Sequence, residues 1–173
     1  MRSLAICLLA LCVPLAQAQP ERFAGTVTRV SDGDTLWVRP QAGDGSRPRP
    51  VKLRLVGIDA PERCQAHGDA ATRALERQVM GRVVAVERVA TDGHGRGLAR
   101  VSVEGVDVAA SLVRAGHAWS SHWRGDPGPY GDEEAAARRA RRGLFADANA
   151  IEPWRFRRAH GPCEAVAPSP KGE

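Results

Sequence analysis

The chain has 173 residues and a formal net charge of +5, from 25 Lys and Arg against 20 Asp and Glu, which suits one domain with a hydrophobic core of its own. A basic balance fits a polyanionic partner such as nucleic acid, although an Arg-rich chain whose only lysines are Lys52 and Lys171 is equally what a GC-rich coding sequence produces. No apolar run reaches the roughly 20 residues that a membrane-spanning helix needs, and there are no internal repeats, so helical membrane proteins and repeat arrays are excluded.

The first segment carries Arg2, an apolar run over 4–13, the breaker Pro14, and then Ala16-Gln17-Ala18. Small residues stand at the two positions a signal peptidase reads, so residues 1–18 are expected to be a secretory signal peptide cleaved after Ala18. A lipoprotein signal through Cys12 is disfavoured, because Leu11 stands where a small residue is required. Export leaves Cys64 and Cys163. One pair in an exported domain can form one disulfide, which would pin the C-terminal tail near the segment holding Glu62. Two free thiols or an intermolecular bridge are the alternatives.

Phe23 to Val30 alternates as a strand, Ser31-Asp32-Gly33-Asp34 is a turn, and Thr35 to Arg39 is a second strand. A Pro/Gly-rich loop over 40–50 leads to a third strand, Val51 to Ile58, with Val51, Leu53 and Leu55 on one face and Lys52 and Arg54 on the other. From Asp69 to Met80 the period becomes helical, with Ala71, Leu75 and Val79 in one stripe and Gly81 as the stop. Arg82 to Val89 and Leu98 to Val103 are two more strands around a Gly-rich loop. Helices follow over Asp107 to Ala115, with Asp107 as N-cap candidate, and over Asp132 to Arg142, with acids at its start and arginines at its end. Three strands, a helix, two strands and two helices predict an α+β, mainly β fold: a five-stranded Greek-key barrel of the OB type with three helices, over residues 19–151. Residues 152–173 are polar and proline-containing, expected to be ordered to Cys163 and loose beyond it.

Three segments concentrate acids and arginines: Asp32-Gly33-Asp34-Thr35, the run from Arg54 through Asp59, Ala60 and Pro61 to Glu62, and the loop Asp92-Gly93-His94-Gly95-Arg96-Gly97. Each has an ordinary explanation. Asp34 suits a turn, Asp59 a strand end, and Arg96 a solvated loop. Together they suggest carboxylates from different strands converging on a hard cation, arginine forks suited to phosphate oxygens, and Glu62 as a group that orients or deprotonates water.

The strings DGDT, RLVGIDAPE and DGHGRGLA resemble, in order and spacing, the three signature segments of the staphylococcal nuclease-like (thermonuclease) family. LVRAGHAW and the C-terminal GLFADANAIEPWRFRR are also similar to it, so the resemblance covers nearly all of residues 22–158. It implies a metal site formed by Asp34, Asp59 and the carbonyl of Ala60, holding one divalent cation, Ca2+. Members often carry Thr at the position of Ala60, a change that a carbonyl ligand survives. The resemblance further implies that Arg54, Glu62 and Arg96 are catalytic. The activity implied is hydrolysis of DNA and RNA, preferably single-stranded, leaving 3′-phosphate ends. The leader predicts an exported protein, periplasmic or secreted, and a monomer is the default expectation.

Two departures stand out. Gly93-His94 replaces the Lys-Tyr of the best-known member before the Gly-Arg of the third segment. His122, Trp123 and Arg124 stand where its tyrosines are expected, leaving His94, His122 and Trp123 as candidate substrate-binding residues. Packing is the competing explanation for Trp119 and Trp123. The alternative function is a catalytically inactive OB-type module that binds nucleic acid, which the presence of Arg54, Glu62 and Arg96 argues against. A sugar-binding OB domain would not need two arginines beside three carboxylates.

Overall fold

Alternating Val, Thr and Gly in the first stretch after the expected leader gives a long strand, β1 (Glu21–Val30), which carries Val27 and Val30 inward. The computed structural model describes residues 19–161 and 163. The expected signal peptide and the tail beyond Cys163 lie outside the described residues. β1 pairs antiparallel with β2 (Thr35–Pro40) on one side and β5 (Val83–Thr91) on the other. β2 pairs antiparallel with β3 (Val51–Leu55), and β5 with β6 (Gly97–Val103). A parallel ladder, Leu53 opposite Gly97 and Leu55 opposite Ala99, then joins β3 to β6 and closes the barrel. Closure removes the free sheet edges, and this is the predicted five-stranded OB-type barrel.

The inward residues of the five strands form one core. Val27, Leu36, Val38, Leu53, Leu55, Val84 and Val101 are each no more than 2% exposed. α1 (Gly68–Val79) adds Ala71, Leu75 and Val79 from the expected stripe, and α2 (Val108–Arg114) adds Leu112 and Val113. The side chain of Asp107, in the short β7 (Val106–Asp107), accepts the N–H of Ala110 at 3.1 Å, the N-cap expected from the sequence. α3 (Gly131–Arg139) starts with Asp132, Glu133 and Glu134 and ends with Arg138 and Arg139, favouring its dipole at both ends. No helix among the described residues is long and apolar enough to cross a membrane.

Two expectations change. The third strand was expected to run to Ile58, but it stops at Leu55. Gly57 adopts φ 80°, a conformation that favours glycine, and the chain turns into a separate two-residue strand, β4 (Ile58–Asp59), paired with β8 (Trp119–Ser120). Among the described residues there are four α-helices rather than three. After a 3₁₀ turn at Gly143–Ala146, α4 (Pro153–His160) forms with Pro153 in its first turn. Proline is well placed there because the first-turn N–H has no helical partner to lose. Its apolar residues are few, and it carries four basic side chains (Arg155, Arg157, Arg158 and His160), so it shows no stripe that periodicity could detect.

Candidate active site

The site begins where β2 starts. Asp32 accepts the N–H of Asp34 at 3.1 Å, an Asx turn that aims the next carboxylate. The main-chain carbonyl of Asp34 accepts the N–H of Leu55 at 2.8 Å, fastening the turn to the end of β3. Its carboxylate then accepts two further bonds, from the Thr35 hydroxyl at 3.0 Å and from the N–H of Ala60 at 3.2 Å. Ala60 itself is buried, 4% exposed.

Arg54 points away from the core because it alternates with Leu53 and Leu55 on β3. Its Nη2 lies 3.1 Å from Asp34 Oδ2 and 2.9 Å from Asp59 Oδ1, bridging the two carboxylates that the sequence assigned to the metal. The turn at Gly57 is what brings Asp59 back to this position. Burial pushes the Asp34 carboxyl up to about 7, against the opposing pull of Arg54 and the Ala60 N–H and with added repulsion from Asp32 and Asp59. For Arg54 burial works against the charge, and Asp34 and Asp59 overcome it, so its pKa rises above the ordinary value.

Arg96 stands on the loop between β5 and β6. Asp92 organises that loop by accepting the N–H groups of His94 and Arg96, both at 2.9 Å, while its other oxygen takes Nε of Arg96 at 2.7 Å. The Arg96 guanidinium is thereby held through Nε by Asp92. Partial burial penalises the Asp92 charge, but the Arg96 N–H and guanidinium and the His94 N–H outweigh it and hold the carboxyl down to about 2.

Asp34, Arg54, Ala60, Glu62, His94 and Arg96 line one cleft of about 610 Å³. Asp59 meets it through Arg54. A second cleft of about 620 Å³ adjoins it, lined by Asp59, Trp119, His122, Trp123 and Trp154 among others, and Arg54 and Arg157 belong to both. His94 is exposed and reaches the first cleft, whereas His122 and Trp123 reach only the second. Trp123 is 72% exposed, so packing does not explain it, while Trp119 is buried and meets Phe145 edge to face, as a packing residue does.

Sequence reasoning missed Arg157. It projects from α4, placing Nη1 2.7 Å from Glu62 Oε1 and Nη2 3.0 Å from Asp59 Oδ2. Pro153 was the available signal, as a helix start just before an arginine cluster. α4 is held on both flanks. Cys64 and Cys163 form a disulfide, Gln65 Nε2 donates to the Ile151 carbonyl, and His67 Nε2 lies 2.9 Å from Asp147 Oδ2.

Two carboxylates and a main-chain oxygen are hard ligands that suit a divalent cation such as calcium. No group of three or more His, Cys, Asp or Glu side chains is placed to hold a metal ion among the described residues. A cation here would therefore take two carboxylates and complete its shell with main-chain and water oxygens. A buried carboxyl that resists ionisation with an arginine 3.1 Å away is one whose charge a further cation would stabilise. The donor set fits.

A family model described as staphylococcal nuclease homologue matches residues 52–147. The chain is 39% identical over 146 residues to protein ParB of Escherichia coli, spanning 78% of each chain. It is 38% identical to an uncharacterized endonuclease of Escherichia coli O157:H7, over 77% of this chain and 84% of that one. Over 79% of this chain and 82% of the relative, it is 34% identical to a micrococcal nuclease of Shigella flexneri.

Proposed function

The chain belongs to the staphylococcal nuclease family, and from that premise we propose that it is an exported, calcium-dependent, sugar-nonspecific nuclease that hydrolyses phosphodiester bonds of DNA and RNA and leaves 3′-phosphate ends. The observation that carries the proposal is the meeting of Arg54 with Asp34 and Asp59 on a cleft also lined by Glu62 and Arg96.

In this proposal Asp34, Asp59 and the Ala60 carbonyl hold the cation, which when bound supplies Lewis acidity at a phosphate oxygen. Glu62 positions the attacking water or takes its proton. Arg54 and Arg96 offer fixed, permanently protonated donors to the negative charge that grows on the phosphorus-bound oxygens, and they do so without reorganising. The breadth of substrate follows from the chemistry, because contacts to phosphate carry no sequence information. His94 at the first cleft, with His122 and Trp123 at the second, provides faces on which unpaired bases stack, which favours single-stranded substrate. The Cys64–Cys163 bond supports export, since such bonds persist in oxidising compartments.

The test is digestion of single-stranded DNA by the mature protein with calcium and with chelator, alongside Arg96→Ala. Calcium-dependent cleavage that collapses in the variant supports the proposal. Retained DNA binding with no cleavage under any divalent cation would replace it with the inactive binding module.

A further inference from the structure

Arg157 is the cationic group on which the two clefts converge and that no signature segment contains. It lies beyond the residues 52–147 matched to the family, and its side chain is 39% exposed. The guanidinium bridges Asp59 through both oxygens and Glu62 through one, with contacts of 2.7–3.2 Å.

A structural role would be to dock α4. Yet α4 is already fixed on either side by the Cys64–Cys163 bond and by the Gln65 and His67 contacts, so docking does not require an arginine at this point. Its neighbours behave differently. Arg155 pairs at 3.0 Å with Glu152, the residue just before the helix, and Arg158 is exposed. Arg157 alone among them is aimed into the site.

The charges explain what it is for. Asp59 and Glu62 are adjacent carboxylates, and of the two only Asp59 is met by Arg54, so without Arg157 the Glu62 side of the cleft would repel a phosphodiester. A second arginine offsets this before any cation arrives. The guanidinium fork binds phosphate oxygens in the same paired geometry it uses for carboxylates, so a phosphate can take over contacts that Asp59 and Glu62 now occupy. Arg54 and Arg157 line both clefts and meet at the same Asp59 oxygen, so a strand that spans the two clefts passes over this pair.

Resting on the nuclease reading above, we infer that Arg157 is a third phosphate-binding arginine of the site, held on Asp59 and Glu62 until a nucleic-acid phosphate at the junction of the two clefts draws it away. Drawing it away also uncovers the Glu62 carboxylate.

The experiment is fluorescence anisotropy of a labelled single-stranded oligonucleotide with the disulfide-intact mature protein in chelator, where no cleavage competes, across a range of salt. Wild type, Arg157→Gln, Arg157→Lys and the control Arg158→Gln are compared, with circular dichroism melts for each. Arg157→Gln is expected to bind about tenfold more weakly, with a salt slope smaller by about one. Arg158→Gln removes the same charge from the same helix and should change binding by less than about threefold. Arg157→Lys should retain the salt slope but lose most of the affinity, because an ammonium lacks the paired fork. If Arg157→Gln does not fold, the Lys variant decides. Wild-type affinity in a folded Arg157→Lys or Arg157→Gln protein would overturn the inference and leave Arg157 as a clamp on α4. No oligonucleotide binding by the wild type in chelator would also overturn the inference, and the nuclease proposal falls only if calcium then fails to give cleavage.

Discussion

The carboxylate of Asp34 accepts the N–H of Ala60 at 3.2 Å, tying the turn before β2 to the segment after β4. The same oxygen faces Arg54, which also holds Asp59. Two carboxylates therefore share one arginine in a largely buried setting; among the described residues Asp34 pairs with it alone, while Asp59 is also held by Arg157.

Removing that arginine should expose the dependence. Arg54→Gln leaves Asp34 and Asp59 to repel each other, and losing one partner of a buried ion pair costs about 3 kcal/mol. Urea denaturation in chelator is expected to show that loss, with calcium restoring much of it. Cleavage should fall by about a hundredfold or more, because a preorganised donor is gone. Unchanged stability in chelator would contradict the bridging role.

Arg96 has a different dependence, since its partner is Asp92 rather than the carboxylate pair. Arg96→Ala should lower kcat by about a thousandfold while leaving the melting temperature nearly unchanged. Arg96→Lys should rescue little of it, because a point charge cannot reproduce a planar fork.

Asp92 sets an acid limit on the same loop. Its carboxyl titrates near 2 when folded, below the ordinary 3.8. The folded loop therefore favours the charged form, and its stabilisation is complete above about pH 4 and disappears as pH falls through about 2. A carbon-detected NMR titration should place the Asp92 midpoint near 2, and amide exchange in the loop should quicken over the same range. In Asp92→Asn the acid step should vanish, and a midpoint near 4 in the wild type would refute the assignment.

The barrel and the first three helices were legible because their signals are local and repetitive. Val51, Leu53 and Leu55 alternate, and Ala71, Leu75 and Val79 recur at helical spacing. The carboxylate and arginine segments could also be picked out, since Asp34, Arg54, Ala60, Glu62 and Arg96 do line one cleft, joined by Asp59 through Arg54. Apart from the Cys64–Cys163 pairing, what could not be read was the set of contacts that the C-terminal segment makes with residues distant in sequence. Asp147 and Ile151 approach the α1 loop through His67 and Gln65, and Arg157 meets Asp59 from 98 residues away. α4 stayed hidden for a second reason: its burial is slight, so it carries no apolar period.

Loss of the disulfide tests that distant architecture. The bond spans 99 residues, and Cys163→Ser should cost about 3 kcal/mol by loosening the constraint on the unfolded chain. Oligonucleotide affinity should fall as well, since α4 loses one of its ties and Arg157 its fixed position. Melting curves with and without reductant should superimpose for the variant and diverge for the wild type.

Gly68 offers a test from inside the fold. A Cβ there would collide with the Glu62 carbonyl and stand 3.0 Å from the Arg63 Cα. Gly68→Ala should therefore push the Glu62 segment outward, costing about 2 kcal/mol. A small displacement of a positioned group can cost about a hundredfold in rate, so cleavage should suffer more than stability. Wild-type kcat in this variant would show that Glu62 tolerates movement.

The parallel ladder between β3 and β6 has a consequence for when the chain becomes hazardous. Arg54 stands opposite Leu98 in that ladder, two residues from Arg96, so the two arginines share a cleft only once β3 and β6 have paired. Pairing between segments so far apart in sequence forms late, after the hairpins that are close in sequence. A chain caught half folded has its candidate catalytic groups scattered along an open ribbon. On the nuclease reading, cleavage would then begin only after β3 and β6 have paired.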